Sequence, residues 1–318
     1  MITTDSFPTP DLARRTSEPI ALATARAFAT EQATMAQALT EKLHHQLAEV
    51  SAPRVRQAIL QMLFVDVALW RWHLATAGWG RLGVGAPLTA DRFHITIDQA
   101  GPNIDRLGEV GRLRPGATFD PATRTYQGGA STPAFEVVAR YGDAARARFA
   151  AEGVTGDELH NLVTLPDGEL VAGNRLVRGA AARSLADELA DRLVRRGVDP
   201  GTVETGGDPL YVVTASSSAR RTCHSAALRT LAEALPGDLR AWQTARYLHY
   251  QGIRRKKGTD AVTRVWLVAV GTWLLGRPPV LEQDCDLRCM VLGQAAALEH
   301  PADALFATDD RAVSAAGR

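Results

Sequence analysis

The chain has little of what usually announces a function. Lys and Arg number 36 against 35 Asp and Glu, a net charge of +1 over 318 residues. That near-balance gives no general reason to expect a nucleic-acid partner, so any basic effect must be local. Only three cysteines occur, Cys223, Cys285 and Cys289, and an odd count makes no disulfide framework. The N-terminal stretch "MITTDSFPTPDLARRTSEP" is polar and proline-punctuated, unlike a secretory leader. A reducing, cytoplasmic protein is expected. The longest apolar run, Val265 to Gly276, is too short to span a bilayer. It reads as a buried helix, and no membrane partner is expected. No Walker A loop, G-x-G-x-x-G, H-E-x-x-H or G-x-S-x-G is present, which removes the usual motif-borne nucleotide, zinc-protease and hydrolase readings. No repeat of solenoid period occurs either.

What is present is helix. A hydrophobic share of 46% supplies a sizeable core. Residues 1–19 read as a flexible arm. Residues 20–50 are Ala/Leu/Glu-rich and helical. Residues 51–79 form a second helix, with Ser51 as N-cap, Pro53 in the first turn, and Ile59, Leu60, Leu63, Phe64, Val67 and Trp70 at helical spacing. Residues 80–132 are rich in Gly, Pro, Asp and Thr, and predict a loop-rich insertion with one short strand, "RFHITI". Helix returns over 132–153. A hairpin follows over 162–176 around Asp167-Gly168, then an amphipathic helix over 181–197 and an apolar strand over 208–218. From Arg220 to about Glu299 the pattern is helical, broken at Pro236-Gly237 and Pro278-Pro279. The expected fold is mainly α: a single helical domain over 20–318 with minor β pieces.

One stretch concentrates chemistry: "RYLHYQGIRRKKGT", Arg246 to Thr259. On its helix Trp242, Ala245, His249 and Gly252 share a face. Small residues beside a histidine leave room for something flat. A haem iron needs a neutral imidazole, held by a helix and shielded from water. Its propionates need cations, and Arg246, Arg254, Arg255, Lys256 and Lys257 are near in sequence. Gly258-Thr259 opens the next helix, with Thr259 or Asp260 as N-cap, and backbone N–H groups there can hold a carboxylate. The bland readings are a hydrogen-bonded core histidine, a solvated basic helix end and an ordinary capped turn. The bland reading of Cys285 and Cys289, one helical turn apart, is a core-facing pair. His44-His45 reads as solvated.

These residues resemble the C-terminal signature of the tryptophan 2,3-dioxygenase/indoleamine dioxygenase superfamily. There a helix reading R-Y-x-H, here Arg246-Tyr247-x-His249, carries the proximal haem ligand, and a G-T-G-G turn, here Gly258-Thr259-Asp260-Ala261, meets the substrate. "LFVDVALW", Leu63 to Trp70, is similar to that family's distal helix. Gly128 to Gly142, with Ser131 and Arg140, is similar to its carboxylate-binding segment. The resemblance implies haem b on His249, a substrate site of Gly258, Thr259, Trp70, Ser131 and Arg140, and oxygenation or hydroxylation of an aromatic amino acid by O2 or hydrogen peroxide in bacterial specialised metabolism. L-Tryptophan and L-tyrosine are the expected substrates, and a homodimer is left open. The family's distal histidine would fall near Leu63. His73 and His94, the only other histidines of the N-terminal third besides His44-His45, therefore stand as the candidates for the distal acid/base, with His73, in the segment similar to the distal helix, preferred.

Two readings of other classes remain. "GTDAVTRVWLVAVGTWLLGRPPV" has the layout of the Fic family's G-N-G-R-x-x-R helix and trailing P-P-V. The histidine that family needs is Ile253 here, and its first arginine is Ala261. The other is a haem-free helical binding protein.

Overall fold

The computed structural model describes residues 1–7, 19–79, 89–197 and 199–299. Its longest helices are α1 (Pro19–Leu47) and α2 (Pro53–Leu74). Pro53 opens α2 as expected, but its N-cap is Ala52, with no side-chain bond, and not Ser51. A π-helical turn extends α2 through Ala75–Trp79 and closes at Gly78, whose φ of 93° suits glycine. Pro53–Gly78 is, by length and composition alone, apolar enough to cross a membrane. The short α3 (Ile97–Ala100) is followed by α4 (Pro133–Ala151), α5 (Gly179–Val194) and α6 (Ser217–Glu233). Then come α7 (Leu239–Gln251), α8 (Thr259–Leu275), α9 (Cys285–Val291) and α10 (Gln294–Leu298).

The apolar run of the sequence is α8, and it is the axis of the helical layer. Every residue from Val265 to Val270 is fully enclosed, as a helix apolar on all sides requires. It packs against α1, α2 and α7. Trp242 of α7 donates its indole N–H to the Leu267 carbonyl at 2.9 Å. A Cβ at Gly271 would lie 2.7 Å from both Trp242 Nε1 and Pro279 Cγ, so the Pro278-Pro279 turn folds directly onto α8.

The β pieces are more than the insertion suggested. Strands β1 (Ile104–Leu107), β4 (Glu158–Thr164), β5 (Leu170–Val177) and β6 (Leu210–Val213) form one antiparallel sheet in the order β1-β6-β5-β4. β2 (Thr118–Asp120) and β3 (Thr125–Gln127) form a separate hairpin. The expected hairpin at Asp167-Gly168 is the β4–β5 turn, with Gly168 at φ 88°. One face of the sheet sends Leu107, Leu159, Leu176 and Val212 against Tyr141 and Phe149 of α4 and Val291 of α9. The other sends Tyr211 and Val213 against Ala182 and Ala186 of α5.

A buried amide network ties the two layers together. Gln251 Nε2 donates to the Cys289 carbonyl at 2.8 Å, and its Oε1 accepts from the Asn174 backbone N–H at 2.9 Å. Asn161 and Asn174 both donate to the Met290 carbonyl, at 2.8 and 2.7 Å. The orphan carbonyls at the end of α9 are thereby satisfied from α7, β4 and β5.

Two local expectations change. "RFHITI" is no strand. Ala90–Phe93 is a 3₁₀ turn, Thr96 forms one isolated bridge to Arg255, and Ile97 starts α3. Of the expected arm, residues 1–7 are held in place, with Ile2 and Phe7 in the core. Residues 8–18 of the arm, residues 80–88 of the insertion and the C-terminal tail from His300 lie outside the described residues, while Pro19 opens α1.

Candidate functional site

Helix α7, the turn after it and the start of α8 place the singled-out stretch in two contrasting settings. His249 sits in the interior at 2% exposure. Its Nε2 accepts the Trp266 indole N–H at 2.9 Å. Phe64 of α2 stacks on the imidazole face, with centroids 5.3 Å apart and planes 3° from parallel. His224 of α6 meets its edge at 5.5 Å. With Nε2 accepting, the neutral ring carries its proton on Nδ1, and that atom is buried with no hydrogen-bond partner. Burial, then His224, holds His249 well below the ordinary histidine range. Burial, then Arg254, pushes His224 down to about 4. Both rings are neutral core groups at pH 7.

The room that Ala245 and Gly252 were expected to leave is filled. A Cβ at Gly252 would lie 2.8 Å from the His224 backbone nitrogen and 3.0 Å from its Cα, so α6 rests directly on α7 there. As arranged, these residues do not fit a haem. Nε2 accepts from Trp266, the buried Nδ1 carries the proton, Phe64 covers one ring face, and α6 occupies the small-residue gap. Among the described residues no group of three or more His, Cys, Asp and Glu side chains is placed to hold a metal ion.

The other expected contacts are also redirected. Arg246 is buried and donates to the Ala297 carbonyl at 2.9 Å, joining α7 to α10. Thr259 caps nothing: its hydroxyl donates to the Arg255 carbonyl at 2.9 Å, and the N-cap is Gly258, at φ 75°, with no side-chain bond. Asp260 accepts from the Tyr250 hydroxyl at 2.9 Å and pairs with the enclosed Arg264 at 2.8 Å. Trp70 stacks on Phe28, centroids 6.4 Å apart. Ser131 donates to Glu136 at 2.9 Å, and Arg140 to Asp284 at 3.1 Å. None of these bonds and stacks reaches the rings around His249. His73 lies nine residues beyond Phe64 on α2, about 13 Å along the axis at 1.5 Å per residue. It and His94 pack against the Trp72 ring instead, each with centroids 5.2 Å away.

The basic turn is the outward setting. Segment 89–102 lies across it, pinned by two backbone bonds: Ile97 N–H to the Arg254 carbonyl at 2.9 Å, and Lys256 N–H to the Ile95 carbonyl at 3.0 Å. Side chains add to this. Arg255 donates to the His94 carbonyl. Lys256 Nζ reaches the Gly101 and Pro102 carbonyls at 2.9 and 2.7 Å. Arg192, from α5, reaches the same Pro102 oxygen at 2.9 Å, which brings a guanidinium and an ammonium group to one acceptor. Arg220, from α6, pairs with Asp98. Below the turn Arg71 lies over the Phe93 ring at 4.2 Å, and burial pushes its guanidinium down to about 10.

Cations thus converge from α2, α5, α6, the turn and segment 89–102. Burial, then Arg192, Arg92 and Lys257, pushes Lys256 down to about 8. Burial and then Arg196 lowers Arg92. Asp98 and Glu188 are paired, with Arg220 and Arg192. Arg92, Arg196, Arg254 and Lys257 form no ion pair among the described residues. The even overall balance of charge concealed this gathering. Its sequence trace was the doublets Arg195-Arg196 and Arg220-Arg221 beside the 254–257 run, which only the fold brings together. Comparison with protein-family models, curated proteins and solved structures returned no match.

Proposed function

We propose that this chain is a helical binding protein whose ligand carries phosphate and is received at the α7–α8 turn. The observation that carries the reading is the set of cations around that turn with no carboxylate partner among the described residues, Arg92, Arg196, Arg254 and Lys257, drawn from three separate parts of the chain. Like charges held together are unfavourable unless an anion joins them. Arg and Lys offer forked and point-charge donors to phosphate oxygens. Lys256 supports the reading: burial and then the neighbouring cations Arg192, Arg92 and Lys257 depress its ammonium group, and an arriving anion offsets the second of these causes and raises its pKa.

The test is calorimetric titration with inorganic pyrophosphate at low salt, followed from pH 7.5 to 9. Binding with proton uptake near pH 8 is expected, weakened in Arg254→Glu. Absence of binding by any phosphate compound would remove the reading.

A second reading is favoured by the layout of α7, the turn and α8. The Pro278-Pro279 turn folds onto α8 at Gly271, and Arg264, at the second arginine position of the Fic-type pattern, donates to the Glu282 and Gln283 carbonyls at 2.8 and 2.9 Å. This supports a Fic-like ancestry for the scaffold. Ile253 is buried where that chemistry needs its base, and Ala261 offers no phosphate clamp. Such a relative binds without nucleotidyl transfer, so incubation with labelled ATP should leave no covalent label on protein.

A further inference from the structure

The basic turn has an aromatic neighbour that the reading so far does not use. Trp72, at the end of α2, is half-buried, and the exposed rings of His73 and His94 are its neighbours. Both imidazoles lie 5.2 Å from the indole, tilted by 37° and 44°. The strip continues without a gap into the cations. His94 gives its carbonyl to Arg255, Phe93 lies beneath Arg71, and Arg92 faces Lys256 and Arg196 electrostatically. Rings of modest size beside unneutralised guanidinium and ammonium groups suit a ligand with planar, unpaired bases on a phosphate chain. Base–aromatic stacking is tolerant of sequence, and the neighbouring cations track the backbone.

We propose that the His73–Trp72–His94 strip and the basic turn form one binding face for single-stranded nucleic acid, DNA or RNA. This rests on the reading of the turn as a phosphate-receiving surface and names its partner. The cations Arg92, Arg196, Arg254 and Lys257 hold phosphates, while the three rings receive unpaired bases. A duplex hides its bases and so loses the stacking part of the interaction. A small phosphate compound uses only the turn.

The experiment is fluorescence anisotropy of the full chain with labelled 20-nucleotide oligo-dT and oligo-rU, a matching duplex, and vesicles containing phosphatidylserine, with pyrophosphate as competitor. Single strands should bind more tightly than the duplex. The affinity should fall about tenfold or more between 50 and 200 mM salt, as a few displaced counterions require. Arg254→Glu with Lys257→Glu should weaken single-strand binding about tenfold or more by removing phosphate contacts. His94→Ala, an exposed change whose fold is checked by circular dichroism, should weaken it about fivefold or more while leaving the salt dependence unchanged. Duplex bound as tightly as single strand, or His94→Ala without effect, would overturn the proposal while sparing the phosphate reading. Pyrophosphate binding without oligonucleotide binding would do the same, as would binding to vesicles alone. Failure to bind any phosphate-bearing probe would overturn both.

Discussion

His249 and Lys257 are eight residues apart, in one stretch that reads as a single site, and the fold gives them opposite surroundings. The histidine end faces inward onto Phe64, His224 and Trp266. The basic end faces outward and collects further cations from α5, α6 and segment 89–102. The difference shows how a ligand-like motif can arise from packing. A histidine on the apolar face of a helix can be held inside through its acceptor nitrogen, and an indole N–H from the facing helix fills that nitrogen as a cofactor would. Buried cations such as Arg246 and Arg264 find carbonyl or carboxylate partners inside; Arg92, Arg196, Arg254 and Lys257 pair with no carboxylate among the described residues, so their clustering at the surface is the stronger sign of a partner.

That contrast can be broken at either end. Among substitutions the largest effect is expected inside: His249→Ala leaves a hole among three rings and an unpaired indole N–H, and should lower unfolding free energy by about 3 kcal/mol in urea titration, in the range of other large-to-small core changes. A loss under about 1 kcal/mol would mean the ring is not part of the packed core. Next is Gly252→Ala, which drives a methyl group into the α6 backbone at His224. It should destabilise by about 2 kcal/mol through overpacking, and a neutral result would show that α6 and α7 are not in close contact.

The buried rings also set a pH dependence. His224 titrates near 4 when folded, and burial holds His249 low as well, against about 6.5 unfolded. Below pH 6.5 the unfolded chain therefore binds protons that the folded chain refuses. Stability should fall from pH 6.5 toward 4 by about 1.4 kcal/mol per unit for each ring, and be level above 6.5 as far as these two are concerned. His224→Gln should make that slope shallower; an unchanged slope would place its origin elsewhere. The smallest effect belongs outside: Arg254→Ala should change stability by less than about 0.5 kcal/mol while weakening phosphate binding, and a large loss of stability would make Arg254 a structural residue.

The sequence made α8, the β4–β5 hairpin and the helix through His249 legible, because each rests on local signals: an unbroken apolar run, an Asp-Gly turn, and apolar spacing of 3.6. It did not show β1 or the docking of segment 89–102, whose partners, β6 and the Arg254–Lys256 backbone, are distant in the chain. The setting of His249 was hidden for the same reason. Trp266 is seventeen residues on, Phe64 belongs to α2 and His224 to α6. Spacing can place a histidine on a face, but not name what that face meets. Neither Thr259 nor Asp260 is the expected N-cap, because each found a nearer partner, the Arg255 carbonyl and Arg264.

The most direct test of the account is a hemin titration of the purified chain, beside the His249→Phe variant, followed by absorption spectroscopy. With the imidazole nitrogen accepting from Trp266 and Phe64 on its face, no sharp Soret band should develop, and the two proteins should give the same spectra. A stoichiometric Soret band in the wild type that is lost in His249→Phe would contradict the account and return the histidine to the role of a metal ligand.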